Sequence, residues 1–224
     1  MSALISAGTF VVFAIVLEQL LHTVMTPLVK DSPLWTCVYG ALAAGIFEET
    51  GRFLVTRFLM KNRPSTENAV LMGLGHGGAE AIMLLGFTMF AYAGIAVYAN
   101  EAVLNAAVLK LTERAPSQIK AVLDQLNAIK DYNVLNAFTS LYERFMAMIF
   151  HVCMSVWAYK AVTYKMRLFP AAIAVHALQD VPAAMYQVKI INSILVVYVI
   201  MTVFVMAVVF VTIKLVKKFP DNAR

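Results

Sequence analysis

The chain has 224 residues, of which 61% are hydrophobic and 14% charged, with a formal net charge of +5 at neutral pH. Ordinary soluble domains are about 45–50% apolar, so this composition and a mean hydropathy of +0.76 exclude a water-soluble globular domain. Repeated apolar runs long enough to cross a bilayer, roughly 20 residues each, indicate an integral membrane protein. The modest positive charge says little about nucleic acid, and no nucleic-acid partner is expected. Met1 leads into LISAGTFVVFAIVL with neither a basic n-region nor an A-x-A site, so the first apolar run is expected to be retained as a helix.

Six spans are predicted in chain order, at 4–28, 34–57, 69–98, 138–160, 168–187 and 190–214. They form one all-α polytopic transmembrane bundle, a single membrane domain over 1–224. Pro33 opens the second span and Pro170 the fifth, near the first turn, where a missing N–H costs least. Pro64, Ser65 and Thr66 are a turn and cap signal ahead of the third. Arg57, Lys61 and Arg63 follow span two; Lys160, Lys165 and Arg167 follow span four. Lys214, Lys217, Lys218 and Arg224 close the tail. These are ten of the eighteen basic residues, all on one side, against Lys30 and Lys189 in the short connections opposite. The positive-inside rule then puts both termini in the cytoplasm, and a plasma membrane is the expected location.

The long outer connection, 99–137, carries Lys110, Arg114, Lys120 and Lys130 with Glu101, Glu113, Asp124 and Asp131. Within it Ile119, Val122, Leu123, Leu126 and Ile129 recur at helical spacing. This predicts an amphipathic helix that packs as a loop helix, caps the bundle or lies on the membrane surface. Cys37 and Cys153 lie in apolar spans and read as small hydrophobes, without a disulfide or metal cage.

All four histidines (His22, His76, His151, His176) fall inside predicted spans, as do Glu18, Glu48, Glu49, Glu80, Glu143 and Asp180. An ionisable group at mid-membrane costs about 2.5–3.5 kcal/mol on insertion scales and by default marks function. Counted from the cytoplasmic end of each span, Glu48 and Glu49 lie 9 and 8 residues deep, and His76 and Glu80 lie 7 and 11. His151 lies 9 deep, and His176 and Asp180 lie 8 and 12. At about 1.5 Å per residue all fall roughly 11–18 Å from that face, so four helices bring polar groups to one level. Glu18 with His22 lies beyond that level and reads as a separate pair. Glu143 and Arg144 read as an ion pair near the outer end of span four.

Spacing adds chemistry. His76 and Glu80, His176 and Asp180, and Glu48 and Arg52 are each i,i+4 and share a helix face. Arg52 is expected to neutralise one carboxylate of the Glu48–Glu49 pair and leave the other free for general acid–base work. Gly73, Gly75, Gly77 and Gly78 with Ala79 and Ala81 make the third span thin, which suits close packing at the centre of the bundle. Pro182 cannot donate to the carbonyl of Leu178, which predicts a kink beside Asp180.

EETGR, then GHGGAE, ERFMAMIFH and HALQD, on successive spans over about 40–185, resemble the YhfC family of intramembrane proteases. More distantly they are similar to the CPBP (CAAX protease) and PrsW groups. The resemblance implies that Glu48 or Glu49 is the base that activates water, and that His176 and Asp180 polarise it or stabilise the oxyanion. Glu80, with His76 before it, occupies the second motif. The sequence departs from the CPBP pattern in having two residues, not three, between the glutamate pair and Arg52, and in having His76 where an aromatic is usual.

Two functions fit these residues. In one, the cluster Glu48, Glu49, Arg52, His76, Glu80, His151, His176 and Asp180 is the catalytic centre of an intramembrane peptidase. It acts with a glutamate-activated water in the cytoplasmic half of the bilayer on a membrane-embedded peptide or protein. His76, Glu80, His151 and His176 are then also a candidate zinc set, although H-E-x-x-H is absent. In the other, the same groups relay protons or cations in a small transporter. The lack of an internal repeat weighs against the transporter.

Overall fold

The structure, a computed structural model, describes residues 1–61, 65–98, 103, 106, 108–110 and 119–221. Arg63, Pro64, Glu101, Glu113, Arg114 and Arg224, and most of the connection between 99 and 118, lie outside the described residues. Every regular element among the described residues is helical. In chain order these are α1 (Ser2–Val29), α2 (Pro33–Leu54), α3 (Thr66–Ile95), α4 (Ile119–Lys130), α5 (Val134–Thr163), α6 (Leu168–Gln187) and α7 (Ile194–Lys218). The helices α1, α3, α5, α6 and α7 are long and apolar enough to cross a membrane. At 22 residues, α2 is also long enough, since about 20 suffice, but Glu48, Glu49 and Arg52 lower its apolarity. The chain is thus a polytopic helical bundle.

Local chemistry sets the helix starts. The Ser32 hydroxyl accepts from the Trp35 N–H, with Pro33 in the first turn of α2. Ser65 Oγ accepts from the Asn68 N–H at 3.1 Å at the head of α3. These are ordinary N-caps, each satisfying a donor the helix itself leaves unpaired. Three stretches open into wider π turns, at Val11–Glu18 in α1, Val55–Leu59 after α2 and Ala81–Gly86 in α3.

The chain divides into two compact units, Met1–Glu80 with Glu143–Arg224, and Ala81–Tyr142. In the first, α2 packs along α6 and α1 along the lower part of α3. Glycines permit these approaches. A Cβ on Gly45 of α2 would stand 2.7 Å from the Ile173 carbonyl oxygen of α6, and one on Gly75 of α3 would stand 2.1 Å from the Ala3 carbonyl oxygen of α1; one on Gly73 would stand 2.3 Å from the Val152 Cα of α5. The centre of this unit is α5, not the glycine-rich helix that the sequence places there. From Phe150 to Ala161 every α5 residue except Val152 is buried. Its Met146, Phe150, Met154 and Trp157 join Ala172 of α6 and Val205 and Val208 of α7 in the main apolar core. The small residues of α3 thin one face of a neighbour to α5 and do not make α3 the axis. Outward side chains such as Leu20, Val24, Trp35 and Val203 are apolar and exposed, as lipid-facing positions require.

One polar cluster ties the ends of this unit. The Lys160 ammonium is fully buried at the end of α5 and donates to Asp221 Oδ1 at 2.8 Å and to Thr66 Oγ1 at 3.0 Å. Asp221 also accepts from the Thr66 N–H (2.6 Å) and the Tyr159 hydroxyl (3.0 Å). Burial opposes ionisation of Asp221, but its hydrogen bonds from Lys160 and Thr66 prevail and hold its pKa down at about 2.

In the second unit, α4 is amphipathic as its sequence predicts. Ile119, Val122, Leu126 and Ile129 are half-buried and Lys120, Asp124 and Lys130 exposed, with Leu123 also exposed. Tyr92 and Tyr132 meet edge to face at 5.7 Å.

Candidate active site

Four helices of the first unit converge on one polar centre. The last turns of α2 bring Glu48, Glu49 and Arg52; α3 brings His76 and Glu80; α5 brings His151; α6 brings His176 and Asp180. Arg52, His76 and Glu49 are essentially inaccessible to solvent. All eight residues singled out from the sequence enter one connected network.

Its hub is one carboxylate oxygen. Glu48 Oε2 lies 2.9 Å from His76 Nε2, 3.1 Å from Arg52 Nη2, 3.8 Å from His176 Nε2 and 3.9 Å from His151 Nδ1. The three rings pack together, with centroids 5.0 Å apart for His76 and His151 and 5.7 Å apart for His151 and His176. Phe150 presents its ring at 87° to His176, closing the apolar side.

Arg52 does more than neutralise one acid. It bonds Glu49 Oε1 and Glu48 Oε2 together, and Nη2 also reaches His151 Nδ1 at 2.5 Å. The expectation that one carboxylate of the pair escapes the guanidinium is therefore overturned: i+3 and i+4 spacing puts both within its planar fork. What distinguishes the two glutamates is direction. Glu48 faces the cavity described below, whereas Glu49 sits behind it, bonded through Oε1 to His176 Nδ1 at 2.6 Å.

A guanidinium can only donate, so His151 Nδ1 accepts and its proton is on Nε2, which faces Glu80 Oε2. Glu80 is held from the other side by Arg144 at 2.6 Å, and Arg144 also bonds Glu143. Glu143 and Arg144 thus form the ion pair expected of them, and Arg144 also joins that pair to Glu80. Arg144 lies seven residues before His151 on α5, two turns along the same face, and that spacing was the available signal. Glu18 and His22 form the separate pair expected of them, 3.3 Å apart, with Tyr39 hydroxyl 2.5 Å from His22 Nδ1. Cys37 and Cys153 are free and buried.

A cavity of about 230 Å³ opens onto this centre between α5 and α6. Glu48, His151, His176 and Asp180 line its inner end. The Asp180 side chain is 34% exposed and stands 3.6 Å from His176 Nε2.

The same centre has the composition of a metal site. One ligand atom each from Glu48, His76 and His151 lies within 4.8 Å of the others, and all three residues are buried. Imidazole and carboxylate donors in such a group are a zinc donor set. The sequence-derived set of His76, Glu80, His151 and His176 shares the first and third histidines. In the structure Glu48 joins these two, while Glu80 is engaged by Arg144 and His176 by Glu49.

Comparison with known proteins agrees with this chemistry. Residues 1–201 match the model of the YhfC intramembrane metalloprotease family. The chain belongs to that family. It is also 32% identical over 222 residues, covering 96% of this chain and 84% of the relative, to a Bacillus subtilis (strain 168) protein described as "Uncharacterized membrane protein YhfC". No solved structure matches. As an integral membrane protein of a protease family, this chain reads as an intramembrane peptidase, and zinc is the metal its donor set suits.

Proposed function

We propose that the protein hydrolyses a peptide bond of a membrane-embedded peptide or protein in the cavity between α5 and α6, with Glu48 as the group that accepts the proton of the attacking water. The Glu48 centre lies in the cytoplasmic half of the plasma membrane, both termini facing the cytoplasm, in accord with the basic residues that follow spans two and four and close the chain, and the cavity runs from it toward the outer ends of α5 and α6, where Glu143, Arg144 and Gln187 line it. The observation that carries this reading is the position of Glu48. It alone of the glutamate pair lines the cavity, and three imidazoles stand within 3.9 Å of its Oε2.

His176 Nε2 is 3.8 Å from Glu48 Oε2 and 3.6 Å from Asp180 Oδ2. Those separations exceed direct hydrogen bonding and suit groups that share a water. Water held there gives its proton to Glu48, at Oε1, as its oxygen attacks the scissile carbonyl. His176, whose Nδ1 is anchored on Glu49, turns Nε2 toward the oxyanion that develops. The proton then passes to the leaving amine as the C–N bond breaks. Arg52 and Glu49 hold the other groups in place. Zinc would be held by Glu48, His76 and His151, with Arg52 giving up its bond to His151 Nδ1 so that this lone pair is free to bind. When bound it supplies Lewis-acid polarisation and a more acidic water.

The test is cleavage of a library of single-span peptides by purified, reconstituted protein, with zinc content measured in the same preparations. Glu48→Gln is expected to lower cleavage by at least about a hundredfold, the usual contribution of a general base. If wild type cleaves nothing that Glu48→Gln spares, the peptidase reading fails.

A further inference from the structure

Gln179 is a buried polar side chain on the cavity wall for which neither the network nor the proposed chemistry has a use. It is 4% exposed and lines the cavity. Both its Oε1 and Nε2 are buried without a hydrogen-bond partner. Because both ends are free, exchanging the amide's two atoms changes nothing. Leaving a buried amide unpaired is costly, and a group so left calls for an explanation, of which a ligand that completes it is one.

Its surroundings identify what that is. Gln179 follows His176 by three residues, on the adjoining face of α6. Ala183 and Gln187 continue the wall at i+4 and i+8, and Ala147 and Phe150 of α5 line the cavity with them. Alanines on both helices keep the slot open. At about 230 Å³ it is smaller than the roughly 300–1,000 Å³ of drug-sized pockets and suits a short piece of main chain. A primary amide offers one donor group and one acceptor. An extended residue presents its own N–H and C=O on one side, as in the bonded pairs of a β ladder.

The geometry points to Gln179 as a substrate-backbone clamp: its Oε1 accepts from the N–H, and its Nε2 donates to the C=O, of one extended residue next to the scissile bond. The cavity thereby binds main chain, with little regard to side-chain identity. This rests on the reading of the site as a peptidase. It assigns to Gln179 binding and register, with the chemistry left to Glu48 and His176.

The experiment uses full-length protein in micelles and a fluorescent, end-capped apolar peptide of alternating leucine and alanine, read by anisotropy. N-methyl groups are scanned along its amides. Wild type is expected to lose affinity about tenfold on methylation of one amide and not of its neighbours, the usual scale for a lost buried hydrogen bond. Gln179→Met, similar in length and without the amide, is expected to bind the parent peptide about tenfold more weakly and to be indifferent to methylation at that position. A wild-type profile that is flat, absent for want of binding, or unchanged in Gln179→Met overturns the clamp. The wild-type profile needs no variant to fold. Glu48-dependent cleavage with a flat profile sinks the clamp alone; the single-amide profile without Glu48-dependent cleavage sinks the peptidase reading alone.

Discussion

Arg52 holds three groups at once, Glu48, Glu49 and His151, and has no solvent exposure. Removing it would leave two buried carboxylates facing each other. Breaking a buried ion pair from one side costs about 3–5 kcal/mol, so Arg52→Met is expected to lower the thermal midpoint markedly and to abolish cleavage. Arg52→Lys offers a point charge in place of a planar fork and should retain part of the stability but little activity. Thermal melts in detergent alongside peptide cleavage separate the two effects, and a stable, active Arg52→Met variant would contradict the assigned role. At this scale much was legible in the sequence. Carboxylates and imidazoles in apolar runs are costly enough to stand out, and equal depth on four helices is a geometric coincidence that a site explains. Gln179 was not legible, because an uncharged amide inside HALQD looks ordinary until its lack of partners is seen. Nor was the direction of each glutamate, which depends on how α2 is rotated against α6.

Where α3 crosses α1 and α5, the helices meet through backbone approaches at glycine. On Gly75 a Cβ would press on a backbone carbonyl of α1, which no rotamer change relieves, whereas Gly78 has nothing within 4 Å of the same added atom. Gly75→Ala is expected to destabilise by about 1–3 kcal/mol, the range for overpacking, and Gly78→Ala to be nearly silent. A thermal shift of equal size for both would show that close approach is not what Gly75 serves. The extent of the helices was readable from apolar length and from Pro33 and Ser65. The central place of α5 was not, since its buried girdle from Phe150 to Ala161 includes polar residues, among them Lys160, that look like an ordinary helix end. The π turns carry no comparable sequence mark either: Val11–Glu18 contains neither proline nor glycine.

For the unit that holds the site, the cluster around Asp221 is the tie between distant parts of the chain. It joins Thr66 at the head of α3 to Lys160 near the end of α5 across separations of 155 and 61 residues, and no local pattern announces that pairing. The folded pKa of Asp221, about 2, lies below its ordinary 3.8. Its contribution is therefore complete above the ordinary value and is lost as pH falls from about 3.8 toward 2. Asp221→Asn should lower the thermal midpoint at neutral pH and flatten its decline over that acid window; an unchanged pH profile would remove Asp221 as the cause. The same tie bears on how the protein is made. The helices that carry His76 and His151 are synthesised long before residue 221, so their Thr66 and Lys160 ends stay unfastened in the nascent chain. The Thr66 and Lys160 ends are fastened to each other only once the residues around 221 have been made and folded back.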